Sequence, residues 1–316
     1  MAYDLSIIIP SRQEIFLKNT IEDILAKKRG KTQIIAVLDG YWPVPSIQDN
    51  PDVILIHHSE SIGQRAAINE AARISQAKYL AKCDAHCGFD EGFDVKLLAD
   101  MKDDWTLIPI MRNLWVFDWV CSKGHRRYQG QSGICTICGE PTTRDMKWIG
   151  KTNPQSDSYC FSSEPHFGYF REYRKRKEYQ DALAKTGLTE TMSLQGSFFM
   201  ATRDKYFELG LCDEEFGSWG TQGIEVACKT WLSGGKCMVS HKTWYAHLFR
   251  TQGGDFGFPY PLSARSQEQA KQYGKDLFFN NKWPKQIHPL HWLIEKFWPV
   301  PGWDEKQLNQ LKVGKL

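Results

Sequence analysis

The chain has 316 residues, of which 41% are hydrophobic and 24% charged, with a formal net charge of +3. That balance excludes a disordered or fibrous chain and allows one large domain with a sizeable core, plus a small appendage. The charge is too small to announce a nucleic-acid partner by itself, and no stretch approaches the roughly 20 apolar residues of a membrane span. Met1 leads directly into Asp4 and a short apolar strand with no basic-then-apolar leader, and the nine cysteines are odd in number. Both features fit a reducing compartment, so a cytoplasmic location without membrane partners is expected.

Residues 4–10, Asp-Leu-Ser-Ile-Ile-Ile-Pro, predict a buried parallel strand closed by a proline. Phe16, Thr20, Ile21, Ile24 and Leu25 then recur at helical spacing, and Lys27, Lys28 and Arg29 before Gly30 suit the negative end of a helix dipole. Strands are predicted over 34–38, ending at Asp39-Gly40, over 53–56, and over 79–83, ending at Asp84. An alanine-rich helix containing Ala66, Ala67, Ile68, Ala71, Ala72 and Ile74 separates the last two. This alternation implies an α/β, doubly wound sheet that binds ligands at the carboxyl ends of its strands, where Asp39 and Asp84 sit.

Further strands are predicted at 106–111 and 115–120, followed by an interruption over 121–147 rich in Gly, Cys, Arg and Lys. A charged helix over 171–185 and a strand over 197–202 come next. Ile224, Ala227, Cys228, Trp231 and Leu232 describe an amphipathic helix stopped by Gly234-Gly235, with strands at 237–240 and 244–249 behind it. From Thr251 onward, Gly, Pro and aromatics predict a lid and then a wrapping C-terminal segment.

Cys83-Asp84-Ala85-His86-Cys87 sets a carboxylate and an imidazole two residues apart, and in extended chain such residues face the same way. Oxygen plus nitrogen suits Mn²⁺ better than Mg²⁺. Alone, the pattern is a weak signal and more often describes a polar strand-end turn. Residues 79–98 around it, however, resemble the Asp-Ser-His-Cys segment of polypeptide N-acetylgalactosaminyltransferases. In order along the chain, Ile62-Gly63-Gln64-Arg65 resembles that family's donor-side helix. Gln195-Gly196-Ser197-Phe198-Phe199 and Tyr206-Phe207-Glu208-Leu209-Gly210 are similar to its Gly-Gly-x-Phe and Tyr-Phe-x-x-x-Gly run. Trp219-Gly220-Thr221-Gln222-Gly223-Ile224-Glu225 is similar to Trp-Gly-Gly-Glu-Asn-x-Glu, and His247-Leu248-Phe249-Arg250 to His-Val-Phe-Arg. The likeness covers roughly residues 4–112 and 195–261.

The resemblance implies a single catalytic domain of GT-A type, Rossmann-like and doubly wound, that moves a hexose or N-acetylhexosamine from a UDP-sugar, with retention of configuration. It implies Asp84, His86 and His247 as Mn²⁺ ligands. Pro10, Ser11, Glu14, Asp39, Arg65 and Asp84 are implied as donor contacts, with Asp39 at the uracil or ribose. Gln222, Glu225 and Arg250 are the implied catalytic candidates, and Phe256–Tyr260 the implied lid that excludes water. The family's Glu-Asn is Gln222-Gly223 here, which leaves Glu225 as the remaining acid; on the first turn of a helix it either favours the dipole or contacts a sugar. No counterpart of the family's lectin domain or membrane anchor is expected, so a mucin role in the secretory route is not carried over.

Cys121-x3-His125-x9-Cys135-x2-Cys138 offers four ligands for tetrahedral Zn²⁺, which would fold a loop too poor in apolar groups to fold alone. The expected organisation is a donor half at 1–120, this small zinc ribbon or knuckle insertion at 121–147, an acceptor half at 148–261 and a wrapping segment at 262–316. Lys123, Arg126, Arg127, Arg144 and Lys147, with Tyr128 and Trp148, would either contact nucleic acid or form a solvated face on a structural staple. The cluster Arg171, Arg174, Lys175, Arg176 and Lys177 reads as a solvated helix face. The acceptor is open between protein Ser/Thr, a glycan and a hydroxymethylated base in DNA of phage type. Two alternatives stand beside this reading: a non-catalytic, zinc-dependent nucleic-acid-binding protein on a transferase scaffold, and an inverting family 2 polysaccharide transferase with a base among Asp213, Glu214 and Glu215.

Overall fold

The computed structural model describes residues 3–250, 253–260 and 264–315. Its first half is built from β1 (Leu5–Ser11), α1 (Leu17–Lys27), β2 (Thr32–Asp39), β3 (Val53–His58), α2 (Gln64–Ile74), β4 (Tyr79–Cys83), β5 (Cys87–Phe89) and α3 (Phe93–Asp100). The long β6 (Trp105–Cys121) follows, then β7 (Arg126–Tyr128), β8 (Thr142–Ser156), β9 (Tyr159–Phe161), β10 (Phe167–Tyr169), α4 (Lys177–Thr186) and β11 (Leu188–Glu190). The remainder comprises β12 (Phe198–Thr202), α5 (Arg203–Leu209), α6 (Gln222–Leu232), β13 (Lys236–His247), α7 (Ala264–Gly274), α8 (Leu290–Lys296) and α9 (Glu305–Lys312).

The main sheet runs β3-β2-β1-β4-β12-β6-β13-β11. β3, β2, β1 and β4 are mutually parallel; helices α1 and α2 make the crossovers from β1 to β2 and from β3 to β4, and a loop joins β2 to the edge strand β3. β12 then enters antiparallel between β4 and β6, so the second half of the sheet is mixed rather than parallel throughout. The switch from parallel to antiparallel lies beside β4, and the carboxyl ends of β1, β2 and β4 open on one side of it.

Two pairs of expected strands are single strands. β6 continues from 105 through 121, and β13 spans 236–247 with a register shift between Ser240 and Trp244 where polar and basic residues interrupt the apolar pattern. The expected helix over 171–185 is divided at Arg176, whose extended backbone lets its guanidinium reach the carbonyls of Phe297 and Pro299 while lying over the Phe170 and Tyr173 rings. That arginine fastens the C-terminal segment and is no solvated side chain. α6 is buried along its whole length, although its apolar spacing describes a one-sided helix. Its outer face is covered by the C-terminal segment, where Trp231 meets Phe297 edge-on at 5.6 Å and Ile287 and His288 donate to Leu232 O.

The insertion is a continuation of the sheet. β7 and β8 pair antiparallel with the outer half of β6, so the break expected at 147 falls inside β8. A second small core, Phe16, Leu114, Val116, Phe117, Trp119, Ala246, Leu248 and Phe256, joins this hairpin to the main body. The boundary expected between 261 and 262 lies outside the described residues, as does Thr251.

Candidate active site

β4 ends at Cys83, and the next amide, that of Asp84, donates to Ser197 O at 2.9 Å, which holds the turn after the strand against the start of β12. His86 follows in this turn. His247 arrives from 161 residues further on because β13 pairs antiparallel with β5, setting His247 opposite Cys87. The imidazoles of His86 and His247 then face each other with their Nε2 atoms 3.1 Å apart, and His247 Nε2 lies 3.2 Å from Asp84 Oδ2. One ligand atom from each of the three residues lies within 4.8 Å of the others.

Three electron-rich atoms converging this closely repel unless a proton or a cation lies between them. An octahedral ion with bonds of about 2.2 Å spaces neighbouring ligands about 3.1 Å apart, which matches the two contacts His247 makes, so the donor set fits a Mn²⁺-like ion in type and in those two spacings. His86 Nδ1 is 2.9 Å from Glu14 Oε2, a contact that orients the ring and directs Nε2 toward the other two groups. Arg250 fixes Glu14 in turn, at 2.6 Å. Burial pushes the His247 imidazole down to about 4 against the pull of Asp84, leaving it neutral. Burial opposes ionisation of Asp84, but Lys82, His247 and His86 together hold it below the usual carboxylate range. Glu14 is likewise held low, burial being outweighed by His86 and Arg250.

These groups lie in a cleft of about 630 Å³ whose walls include Pro10, Ser11, Glu14, Asp39, Asp84, His86, Gln222, His247 and Arg250. Asp39 closes β2 and is turned toward the next loop, accepting from Ser61 Oγ at 2.7 Å and from the Ile62 and Gly63 amides at 2.6 and 3.2 Å. Gln222 opens α6, with its amide 3.3 Å from Cys212 Sγ.

Two expected site residues lie elsewhere. Arg65 and Glu225 are 1% and 0% exposed and pair with each other, and neither side chain lines the cleft. Arg65 Nε and Nη2 both meet Glu225 Oε2 at 3.1 Å, and the guanidinium also donates to the carbonyls of Gly217 and Gly220. The other Glu225 oxygen accepts from Lys229 at 2.9 Å and from the Asp213 amide at 2.7 Å. Every polar site of this carboxylate is thereby engaged in holding the loop 210–221 on α2 and α6. Asp213 meets Lys229 and Glu214 accepts from Asn69, and none of Asp213, Glu214 and Glu215 lines the cleft. Among the described residues, the carboxylates on the cleft wall are Glu14, Asp39 and Asp84, so the candidates for an inverting base are misplaced.

Lys82 was not singled out by its sequence context. It is 2% exposed, pairs with Asp84 Oδ1, donates to Gly196 O at 2.6 Å and borders the cleft. A lysine inside an apolar strand, two residues before Asp84 and so on the same face, was the available signal. His166 and Lys271, joined across the rim at 2.8 Å, carry no local signal because they meet only through the fold.

Gly223 explains one departure in the sequence. A Cβ there would stand 1.9 Å from Leu194 O and 3.0 Å from Gly196 N, so α6 abuts the Leu194–Gly196 strip only through glycine. Gly223→Ala is expected to destabilise the protein by about 1–3 kcal/mol through overpacking, read as a lowered melting temperature. An unchanged melting temperature would mean that the strip yields freely.

In the insertion, Cys121 Sγ is 3.6 Å from His125 Nδ1 and 3.7 Å from Cys138 Sγ, and Cys135 Sγ is 3.6 Å from His125 Nδ1. Tetrahedral zinc with bonds of about 2.3 Å to sulfur and about 2.0 Å to nitrogen spaces its ligands about 3.5–3.8 Å apart, so the four side chains fit that ion. The nearby cations are engaged locally: Arg126 with Asp118 and Asp145, Lys147 with Asp145, Lys123 with Glu140, and Arg144 with Asp255. Arg127 donates to Gln131 O and lies over Trp119. The apparent basic patch is largely self-neutralised.

A parallel half-sheet with a ligand cleft at its carboxyl ends, joined through an antiparallel strand to a second half that returns a histidine to the same cleft, is the GT-A fold of glycosyltransferases. The chain belongs to glycosyl transferase family 2, whose sequence model matches residues 6–206. N-acetylgalactosaminyltransferase 7 of Rattus norvegicus is 34% identical over 103 residues, 33% of this chain and 15% of the relative. Probable N-acetylgalactosaminyltransferase 9 of Caenorhabditis elegans is 27% identical over 198 residues, 63% of this chain and 28% of the relative. The chain thus spans less than a third of the length of either relative. A crystal structure of GalNAc-T7 with UDP, GalNAc and Mn2+ shares the fold, with a TM-score of 0.60 and 17% identity over 99% of this chain and 55% of its own. No helix among the described residues is long and apolar enough to cross a membrane.

Proposed function

We propose that the chain transfers a hexose or N-acetylhexosamine from a UDP-sugar to an acceptor hydroxyl, with retention of configuration and with Mn²⁺ held by Asp84, His86 and His247. The observation that carries this reading is the convergence of those three side chains, from the turn after β4 and from the end of β13, in the cleft at the strand ends. When bound there, a divalent cation supplies Lewis-acid neutralisation of the charge that grows on a leaving diphosphate.

The protein's own groups do the rest. Glu14 and Arg250 orient His86, and Lys82 adds a fixed positive charge beside Asp84. Pro10, Ser11 and the turn held by Asp39 form the wall assigned to the nucleoside, and Gln222 also borders the cleft. Trp219, Phe258 and Tyr260 line the mouth and exclude water that would otherwise consume the donor. Retention fits a cleft whose carboxylates are each already held by neighbouring donors, leaving none disposed as a base for an inverting attack.

Cys121, His125, Cys135 and Cys138 are assigned to a structural Zn²⁺. Purified protein is expected to carry about one zinc per chain that survives dialysis, whereas the cleft cation exchanges freely. Elemental analysis after dialysis checks this.

The test of function is UDP release from UDP-N-acetylgalactosamine and UDP-glucose with Mn²⁺ or with chelator, alone and with a Ser/Thr peptide, a glycan or hydroxymethylated DNA as acceptor. Mn²⁺-dependent release that one acceptor accelerates is the expected result. Release that is absent, or equal with and without Mn²⁺, sinks the proposal and leaves the non-catalytic alternative.

A further inference from the structure

The hairpin tip that carries the four metal ligands also touches a segment bordering the cleft. The Ser132 amide, in the loop between ligands His125 and Cys135, donates to Asp255 Oδ1 at 2.9 Å. Arg144 on β8 approaches the other Asp255 oxygen at 3.9 Å. Gly254 lies so close to the Gln131 side chain that a Cβ there would be 3.0 Å from Nε2. Phe256 is buried edge-on against Phe117 at 6.0 Å, in the small core shared with the hairpin.

The other end of this segment faces the cleft. Arg250 donates to Gly257 O at 3.2 Å with one nitrogen while the other holds Glu14, the partner of His86. Phe258 packs edge-on against Trp219 at 5.9 Å, and Arg12 lies over the Tyr260 ring at 5.2 Å.

We propose that zinc bound in the insertion anchors the strap 253–260 and so sets how tightly the cleft holds its donor. The inference rests on the reading of Cys121, His125, Cys135 and Cys138 as zinc ligands. The loop has little else to shape it: Ile134 and Ile137 are 65% and 68% exposed and no apolar cluster lies within it. Closure by the metal is what holds the Ser132 amide where Asp255 can accept from it. Without that closure the strap keeps Phe256 but loses its polar anchor, and the wall formed by Phe258 and Tyr260 loosens. Of the basic residues of the insertion, Arg144 is turned to Asp255 on the strap, and the others pair with carboxylates or carbonyls inside the hairpin.

Hydrogen exchange on the full chain, with zinc present and after zinc is stripped, both without Mn²⁺, tests this. Amides of 253–260 are expected to exchange about tenfold faster or more in the stripped protein, with those of β4 unchanged as an internal reference. Asp255→Ala should reproduce that acceleration while keeping its zinc, and both proteins should bind UDP in the presence of Mn²⁺ about tenfold more weakly by calorimetry. Zinc that can be removed with no change at 253–260 overturns the coupling and leaves the staple standing; a chain that binds no zinc overturns both. Should stripping also expose β4, the Asp255→Ala comparison decides. The exchange readout does not require the chain to bind UDP, so failure of the transferase reading is separately visible.

Discussion

His86→Ala is expected to lower Mn²⁺-dependent UDP-sugar turnover by about a thousandfold, the several kcal/mol that a correctly held cation contributes to a charged transition state. The side chain stands in the turn after β4 and is no part of the apolar core, so its loss should leave the fold intact. Glu14 would keep Arg250 as a partner, which avoids stranding a buried carboxylate. Turnover measured against Mn²⁺ concentration, alongside a melting curve, is the check. Near-normal turnover at saturating Mn²⁺ would remove the three-residue metal assignment, and a collapsed melting temperature would make His86 a packing residue.

Glu225→Ala is expected to act in the opposite way, through stability. It would leave Arg65, almost wholly buried, without its counter-charge and Lys229 with only Asp213 at 3.4 Å, and breaking such a buried pair typically costs about 3–5 kcal/mol. Urea unfolding should show a loss of that size, with the surviving folded protein still binding UDP in Mn²⁺. A change under about 1 kcal/mol together with lost transfer would restore Glu225 to catalysis and mean that the loop over it opens.

The contrast between these two residues shows how far the sequence could be read. Asp84-x-His86 follows an apolar strand, so local periodicity alone places both groups at a strand end with a common facing. The parallel order of β1 to β4 was legible for the same reason, because βαβ alternation leaves few topologies open. Glu225 and Arg65 carry equally clear motif signals, yet burial decides their role, and burial depends on the C-terminal segment and the loop 210–221 closing over α6. Composition likewise marked 121–147 as an insertion but could not show that β8 continues to 156, since strand pairing is a property of two distant segments.

What the sequence by itself determined was therefore the set of local devices: the apolar parallel strands, the carboxylate and imidazole at the end of one of them, and the Cys/His spacing of the insertion. Only the tertiary structure decided which of these meet. The antiparallel pairing of β13 with β5 brings His247 to His86, the antiparallel entry of β12 braces Asp84, and the extension of β6 carries the Cys/His loop to the strap at Asp255. Each depends on register between segments far apart in the chain, set by side-chain burial on the sheet faces rather than by any local spacing.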